Sequence, residues 1–386
     1  MTTTAVLVSG RPLVLRKVND RFATLRRRSR GSHRLVRSRF PMPGGGRRDT
    51  IGIPCVTVDL EVLVRSWRRC LDAAGVRDRT ARADYSAAAQ YFRRRDFSSW
   101  VPLRVLIPPE SVPHMFAAAA LVRYTDDLCD RGPVEGRTQR FEEWAAEVGT
   151  ALDTGSSKHQ MLRPYLHSAG LLNLSCTWID SYLQGTRIDL DFPGFAHEAD
   201  YQRYVDTVVL PSFLVAVEVA PGLAPDRKFM PFARLLADGS QRADFLTDVF
   251  EDLRDGRLCL PVSDLDRHGV TRADLEQGLD TPGVRALLSA TASSARASLV
   301  EGERMIGEIP PDYRPFFRFV IGLFHKRLDN VETRGTAIIR RPYHDAVVTA
   351  VPLIVRSRRM GASTKALPGR GAHNNRVSSG HPSSGS

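Results

Sequence analysis

The chain has 386 residues, enough for one large domain or two ordinary ones, and its composition is that of a globular protein, with 42% hydrophobic and 25% charged residues. The net charge of +12 comes from the ends, because residues 1–50 hold 13 Lys/Arg against 2 Asp/Glu and residues 356–386 hold 6 Lys/Arg and no acidic residue. The residues between these ends carry 36 basic and 41 acidic side chains, which argues against a nucleic-acid-binding surface on the folded body.

The five cysteines are scattered and form no CxxC pair, which favours a reduced, cytoplasmic setting. No apolar run reaches the roughly 18 residues of a membrane span. The stretch Val208–Leu223 comes nearest, but Pro211, Glu218 and Pro221 interrupt it. An alternative to a purely cytoplasmic location is peripheral membrane association, in which the basic ends contact an anionic lipid surface. The chain is expected to act as a monomer or a homodimer.

Residues 1–55 are rich in Arg, Gly and Pro and are predicted to form a disordered basic extension. Residues 356–386 are predicted to form a disordered tail, and residues 56–355 a single all-α catalytic domain. Between the ends, apolar residues recur three and four apart, which is typical of helices packed on one face. This spacing predicts helices, in chain order, at Asp59–Ala74, Ser86–Arg94, Glu110–Asp130, Arg140–Leu152, Ser175–Gln184, Glu198–Val219, Arg227–Asp255, Arg272–Gly278, Gly283–Gly307 and Tyr313–Val331. An apolar helix through Tyr204–Val219 is expected to line the centre of the bundle.

Two clusters of acidic residues stand out in this helical pattern. The first reads D-D-L-C-D over Asp126–Asp130, and the second reads D-V-F-E-D over Asp248–Asp252. In each cluster aspartates recur four apart, so they lie one turn above each other on one helix face. Like charges at that spacing destabilise a helix by a few tenths of a kcal/mol, roughly. A hard divalent cation would offset this repulsion.

The stripe on the second helix is broader than solubility requires. It contains Gln241, Asp244, Asp248, Glu251, Asp252 and Asp255 within about 100° of the helix circumference. Mg²⁺ prefers one or two carboxylates, completed by water and phosphate oxygens. Two acidic walls that face each other would therefore bind Mg²⁺ chiefly when a diphosphate bridges them. Arginine would share the diphosphate through bidentate contacts, and the candidates are Arg123, Arg257, and Arg340 or Arg341.

Both patterns resemble the signatures of a known family. Phe116-x6-Arg123-x2-Asp126-Asp127-x2-Asp130 resembles the first aspartate motif of the squalene/phytoene synthase family. The segment from Gln241 to Pro261, with its D-V-x-E-D and G-R-x-C-L-P elements, resembles the second. The similarity extends over about Tyr85–Arg341. It implies an all-α isoprenoid-synthase bundle that binds prenyl diphosphates through Mg²⁺, and typical members join two such substrates head to head.

The resemblance also implies roles for individual residues. The catalytic aspartates would be Asp126, Asp130, Asp248 and Asp252, and the set of metal ligands would be these four together with Asp127 and Asp244. The diphosphate would be bound by Arg123, Gln241, Arg257 and Arg341. The cofactor is expected to be Mg²⁺, with Mn²⁺ as an alternative because it accepts similar oxygen ligands.

The sequence departs from the family pattern at several positions. Asp244 stands where Asn is usual, Thr247 where Arg is usual, and Phe324 where a phosphate-contacting tyrosine is often found. Cys259 replaces the tyrosine of G-R-x-Y-L-P. The segment Tyr204–Phe213 reads Y-V-D-T-V-V-L-P-S-F in place of Y-x-x-x-x-A-G-x-V-G. The expected cavity residues are therefore bulky, and they are Phe116, Tyr204, Leu210, Pro211 and Phe213.

Three functions are compatible with these observations. Head-to-head condensation of two C15 or C20 prenyl diphosphates is favoured by the two motifs. Ionisation and cyclisation of a single prenyl diphosphate is favoured by the altered Tyr204–Phe213 segment, where Pro211 is expected to kink the helix. A non-catalytic member of the family is the least favoured, because the chain keeps all four motif aspartates.

Overall fold

The protein is built from helices. The computed structural model describes residues 66–223, 225–343, 352–358 and 360, and these residues contain no β-strand. The all-α prediction is therefore confirmed. The α-helices in chain order are α1 (Trp67–Ala73), α2 (Arg79–Arg95), α3 (Phe97–Leu106), α4 (Val112–Asp130), α5 (Arg137–Thr154), α6 (Arg163–Leu172), α7 (Thr177–Thr186), α8 (Glu198–Tyr204), α9 (Leu210–Glu218), α10 (Phe229–Arg254), α11 (Val262–Arg267), α12 (Arg272–Glu276), α13 (Pro282–Gly302), α14 (Met305–Glu308) and α15 (Arg314–Arg334). Short 3₁₀ turns cover Arg187–Asp191 and Gly335–Ile339, and residues 352–358 are also helical.

The predicted terminal segments fall largely outside this description. Residues 1–55 lie outside the described residues altogether. Of residues 356–386, those at 356–358 and 360 are described, and they are helical. The division of the chain at residues 55 and 355 stays a prediction.

Two buried helices form the centre of the bundle. Helix α4 is buried along almost its whole length, and it packs against α2, α5 and α6. Helix α10 is the longest of the helices in the described part of the chain, about 39 Å at 1.5 Å per residue. It packs along α13, and small residues allow close approach there, since a Cβ at Gly239 would lie 2.7 Å from the carbonyl oxygen of Ala295. The two acidic clusters lie on these two helices.

The helix that begins at Glu198 changes its winding in the middle. A π-helical turn, Val205–Val209, joins α8 to α9, and the amide of Leu210 donates to the carbonyl of Val205. The physical cause is Pro211, which has no N–H to donate to the carbonyl of Thr207 four residues earlier. The kink expected at Pro211 stays a prediction, and the structure has a π-helical turn that ends directly before α9.

The neighbouring helix α7 fits against this turn through a glycine. A Cβ at Gly185 would lie 1.8 Å from the carbonyl oxygen of Thr207, so no larger residue fits without movement of the backbone. The bulky residues of Val209–Phe213 thus follow a turn whose backbone lies in close contact with α7.

Among the described residues, no helix combines the length and the hydrophobicity that crossing a membrane requires.

Candidate active site

The first acidic cluster lies at the C-terminal end of α4. The Asp126 side chain is buried, and its Oδ1 accepts a hydrogen bond from the hydroxyl of Tyr182 on α7 over 2.6 Å. One turn earlier, Nη1 of Arg123 lies 4.0 Å from Oδ2 of Asp126. Burial raises the pKa of Asp126 to about 8, against the opposing effect of Arg123. A cation that binds this carboxylate at neutral pH therefore displaces a proton.

The three aspartates of this cluster do not share one environment. Asp127 accepts a hydrogen bond from the hydroxyl of Tyr91 over 2.5 Å, and its Oδ2 lies 2.8 Å from Nε of Arg95, both on α2. Asp130 is half-buried and lies close enough to Arg257, which follows the second cluster, to help raise the pKa of that guanidinium. The role of Asp127 as a metal ligand stays a prediction. Its carboxylate is paired with Tyr91 and Arg95 of α2.

The second acidic cluster occupies the C-terminal half of α10. Gln241 and Asp252 are buried, and Asp248 is half-buried between them. Burial raises the pKa of the Asp252 carboxyl well above its ordinary value, and the neighbouring Asp248 raises it further. Asp244 is different, because its carboxylate forms a buried ion pair with Arg327 of α15.

A carboxylate between the two clusters was not singled out from the sequence. Asp189, in the 3₁₀ turn after α7, is buried and accepts a hydrogen bond from the hydroxyl of Tyr204 over 3.1 Å. Nη2 of Arg257 lies 3.6 Å from Oδ1 of Asp189. Asp189 also lies near enough to Asp126 to contribute to the rise in its pKa. It therefore links the end of α4 to the residues that follow α10. The sequence around Asp189 reads R-I-D-L-D. It has no aspartates four residues apart, which is the spacing that indicated the two clusters.

Aromatic rings border this linking carboxylate. Tyr204 lies in a cluster of edge-on contacts with Phe192 and Phe195, at centroid distances of 6.1 and 5.5 Å, and Phe245 of α10 lies 6.0 Å away. The guanidinium of Arg257 lies over the ring of Phe192 at 4.5 Å. The faces of these rings are electron-rich, and positive charge is stabilised beside them.

The other predicted cavity residues are also buried, in two different places. Leu210, Pro211 and Phe213 lie on α9, and the ring of Phe213 stacks on that of Phe229 at 6.3 Å. Phe116 packs against Trp67 and the helices α2 and α3, at the end of α4 away from Asp126. A role for these residues in a shared substrate cavity stays a prediction.

The expected C-terminal arginine lies at the surface. Arg341 is exposed just after the 3₁₀ turn that follows α15, and the neighbouring Arg340 donates to Oγ1 of Thr336 over 2.9 Å. The buried arginine that this part of the chain contributes to the site is Arg327. Spacing in the sequence does not mark it, because Arg327 follows His325 and Lys326 in a basic run and only the fold shows that it is buried.

The donors and acceptors of the site fit a metal–diphosphate ligand. Four buried side-chain atoms at the site make no hydrogen bond within the described part of the chain: Nε of Arg123, Oε1 of Gln241, Oδ2 of Asp252 and Nε of Arg257. Buried polar atoms are nearly always paired in folded proteins, so these four are suited to an anion and its cations. Within the same described residues, no three His, Cys, Asp or Glu side chains are gathered closely enough to hold a metal ion by themselves. A cation here would need phosphate or water oxygens to complete its coordination.

Comparison with known proteins places the chain in a family. The squalene/phytoene synthase family model matches residues 92–350. The chain belongs to the squalene/phytoene synthase family, and the membership suggested by the two motifs is confirmed.

Two relatives illustrate the similarity of the chain to known proteins in sequence. The chain is 29% identical over 229 residues to the bifunctional protein CrtB/UppS of Streptomyces coelicolor, a match that covers 59% of this chain and 40% of that protein. It thus spans about two fifths of that relative's length. It is 24% identical over 249 residues to the 15-cis-phytoene synthase of Synechocystis, covering 61% of this chain and 73% of the relative.

Solved structures show the same fold. A dehydrosqualene synthase in complex with ligand superposes with a TM-score of 0.65 and 19% identity, over 73% of this chain and 98% of that one. The squalene synthase HpnC of Alicyclobacillus acidocaldarius superposes with a TM-score of 0.62 and 20% identity, over 70% of this chain and all of that one. These similarities support the helical architecture predicted from the motifs.

Proposed function

We propose that the chain is a divalent-metal-dependent enzyme that joins two prenyl diphosphates, farnesyl or geranylgeranyl diphosphate, head to head. The observation that carries the proposal is the convergence of buried groups from α4 and α10 around Asp189. Unpaired donor atoms of Arg123 and Arg257 and an unpaired oxygen of Asp252 lie in this region. Family membership supports the reaction class, and several relatives are named phytoene synthase.

In this proposal Asp126, Asp130, Asp248 and Asp252 hold Mg²⁺, with Mn²⁺ as an alternative. The bound metal supplies Lewis-acid assistance to the departure of diphosphate. Arg123 and Arg257 bind the diphosphate oxygens and keep them oriented after the C–O bond breaks. The rings of Phe192, Phe195, Tyr204 and Phe245 exclude water and stabilise the allylic cation.

A second reaction of the same site is cyclisation of one prenyl diphosphate. The observation that favours it is the packing of α9, where Leu210, Pro211 and Phe213 are buried and Phe213 stacks on Phe229. Bulky groups in this position reduce the room for two extended chains. In a single folded chain, the allylic cation would then react with a double bond of the same chain.

Product analysis distinguishes the two reactions. The full chain would be incubated with Mg²⁺ and farnesyl or geranylgeranyl diphosphate, and the products extracted and read by mass spectrometry. A C30 or C40 product supports condensation, whereas a cyclic C15 or C20 hydrocarbon or alcohol assigns the chain to cyclisation. Absence of any diphosphate release with either substrate contradicts both reactions and supports a non-catalytic family member.

A further inference from the structure

The second acidic wall is the acidic stripe of α10, and it includes a carboxylate that is paired with a cation from another helix. Asp244 of α10 and Arg327 of α15 form an ion pair across the two helices, and their side chains are 2% and 3% exposed. The guanidinium also lies over the ring of Phe324, one turn earlier on α15, at 5.4 Å. The pair is thus enclosed on the α15 side of the wall.

The burial of this pair constrains its function. An isolated buried charge is strongly destabilising, and so is the removal of one partner from a buried pair. Asp244 and Arg327 therefore stabilise the fold only as a unit. As a unit they contribute no net charge to the wall. The negative charge that α10 offers to a cation then comes from the other acidic residues of its stripe, which include Asp248 and Asp252.

Phe324 completes the surroundings of this pair. The Arg327 guanidinium lies 5.4 Å from the centre of the Phe324 ring, and it neutralises the negative charge that Asp244 places inside the site. The phenyl ring of Phe324 has no hydroxyl, so it leaves room and an electron-rich face for the guanidinium.

We propose that Asp244 is not a metal ligand in this chain, and that its carboxylate instead holds Arg327 as a fixed cation in the second wall. This inference rests on the proposed function, because it concerns how the same site addresses divalent metal and diphosphate. Arg327 is a positioning residue in this scheme: it neutralises and orients Asp244, and it leaves Asp248 and Asp252 as the carboxylates of α10 that address metal.

The test is a count of bound Mn²⁺ by electron paramagnetic resonance, on the full chain in the presence of inorganic pyrophosphate. The informative variant is the double substitution Asp244→Leu with Arg327→Leu, which removes both charges together and leaves no oxygen ligand at position 244. The proposal predicts the wild-type number of Mn²⁺ ions and an affinity within about threefold of wild type. Loss of one ion, or a loss of affinity of about tenfold or more, would make Asp244 a ligand and overturn the proposal. Asp252→Asn serves as the control that loses metal.

The single variant Arg327→Leu supplies an independent test should the double variant fail to fold. Here Asp244 loses its cationic partner inside the protein, and burial then favours its protonated form. The proposal predicts the wild-type Mn²⁺ count with no gain in affinity, whereas an affinity raised by about tenfold or more would show that the released carboxylate coordinates metal and would contradict it. Arg327→Lys keeps the pair and should also retain the wild-type count. Absence of Mn²⁺ binding by the wild-type protein would instead overturn the metal site of the proposed function, a result separable from these.

Discussion

The hydroxyl of Tyr182 on α7 donates a hydrogen bond to Oδ1 of Asp126 on α4 over 2.6 Å, inside the protein. This bond lowers the pKa of a carboxyl that burial raises to about 8. Tyr182 thus keeps the first motif aspartate closer to ionisation than its burial alone would allow. The relationship joins a residue outside both motifs to the chemistry of the first.

Replacement of Tyr182 by Phe should therefore make Asp126 harder to ionise. At limiting Mg²⁺, the acidic limb of the pH profile of diphosphate release is expected to move upward by about one pH unit. The profile would be compared with that of Tyr85→Phe, which removes a buried hydroxyl bonded to Ser168 over 2.7 Å in a different part of the bundle. An unmoved limb in Tyr182→Phe, or an equal movement in both variants, would contradict the assigned role of Tyr182.

Asp189 is predicted to be required for turnover. Its replacement by Asn keeps the size of the side chain but removes the charge 3.6 Å from Nη2 of Arg257. Arg257 then loses the group that orients it, and the turnover number is expected to fall by about a hundredfold, as for other precisely placed charged groups. The matched control is Asp206→Asn, which breaks the more exposed ion pair with Arg234. Turnover of the Asp189 variant within twofold or so of the control would show that the linking carboxylate has no role in the reaction.

Gly185 tests the close contact between α7 and the π-helical turn. A Cβ at this position would lie 1.8 Å from the carbonyl oxygen of Thr207, so Gly185→Ala should destabilise the fold by about 2–4 kcal/mol through forced movement of the backbone. The matched control is Gly149→Ala in α5, where no atom lies within 4 Å of the new methyl group. That control should stabilise the protein by about 0.5–1 kcal/mol. Chemical denaturation measures both, and equal stabilities of the two variants would refute the contact.

The carboxyl of Glu218, which lies outside both acidic clusters, is expected to make the stability of the fold depend on pH. Burial raises its pKa from 4.5 to about 7, against the hydrogen bond from Tyr165. Because the folded state holds the proton more tightly than the unfolded state, this contribution is complete below about pH 4.5 and is lost as the pH rises to about 7. The free energy of unfolding of wild type should fall over that range by about 2 kcal/mol relative to Glu218→Gln. Parallel profiles of the two proteins would be inconsistent with a raised pKa.

The sequence predicted the long elements of the fold well. The helices expected at Glu110–Asp130 and Arg227–Asp255 correspond to α4 and α10, because their apolar residues follow one face over many turns. The spacing of apolar residues did not indicate α3, α6 or α11, although the segment Tyr85–Pro109, which contains α3, resembles a pair of helices of the family. Helix α3 contains Pro102, which local rules assign to a helix start or a break, and tertiary packing overrides that preference.

The candidate site was predictable only where spacing within one helix marked it. Asp126 and Asp252 were found in this way, and the structure buries both. Tyr182, Asp189 and Arg327 were missed, since each reaches the site from a different helix or turn. Their contribution depends on tertiary contacts, such as the Asp244–Arg327 pair between residues far apart in sequence. A single sequence holds no local signal for such a pair.

The central claim is that aspartates of α4 and α10 together ionise a prenyl diphosphate through divalent metal. The most direct measurement is Mg²⁺-dependent release of inorganic pyrophosphate from geranylgeranyl or farnesyl diphosphate by wild type, Asp126→Ala and Asp248→Ala, with helicity checked by circular dichroism. Asp153→Asn is the control, because it changes an exposed carboxylate of α5 that lies outside both clusters. We predict that release is lost in both alanine variants and in the presence of EDTA, and is retained by the control. Release that persists in either folded alanine variant or in EDTA would contradict the claim.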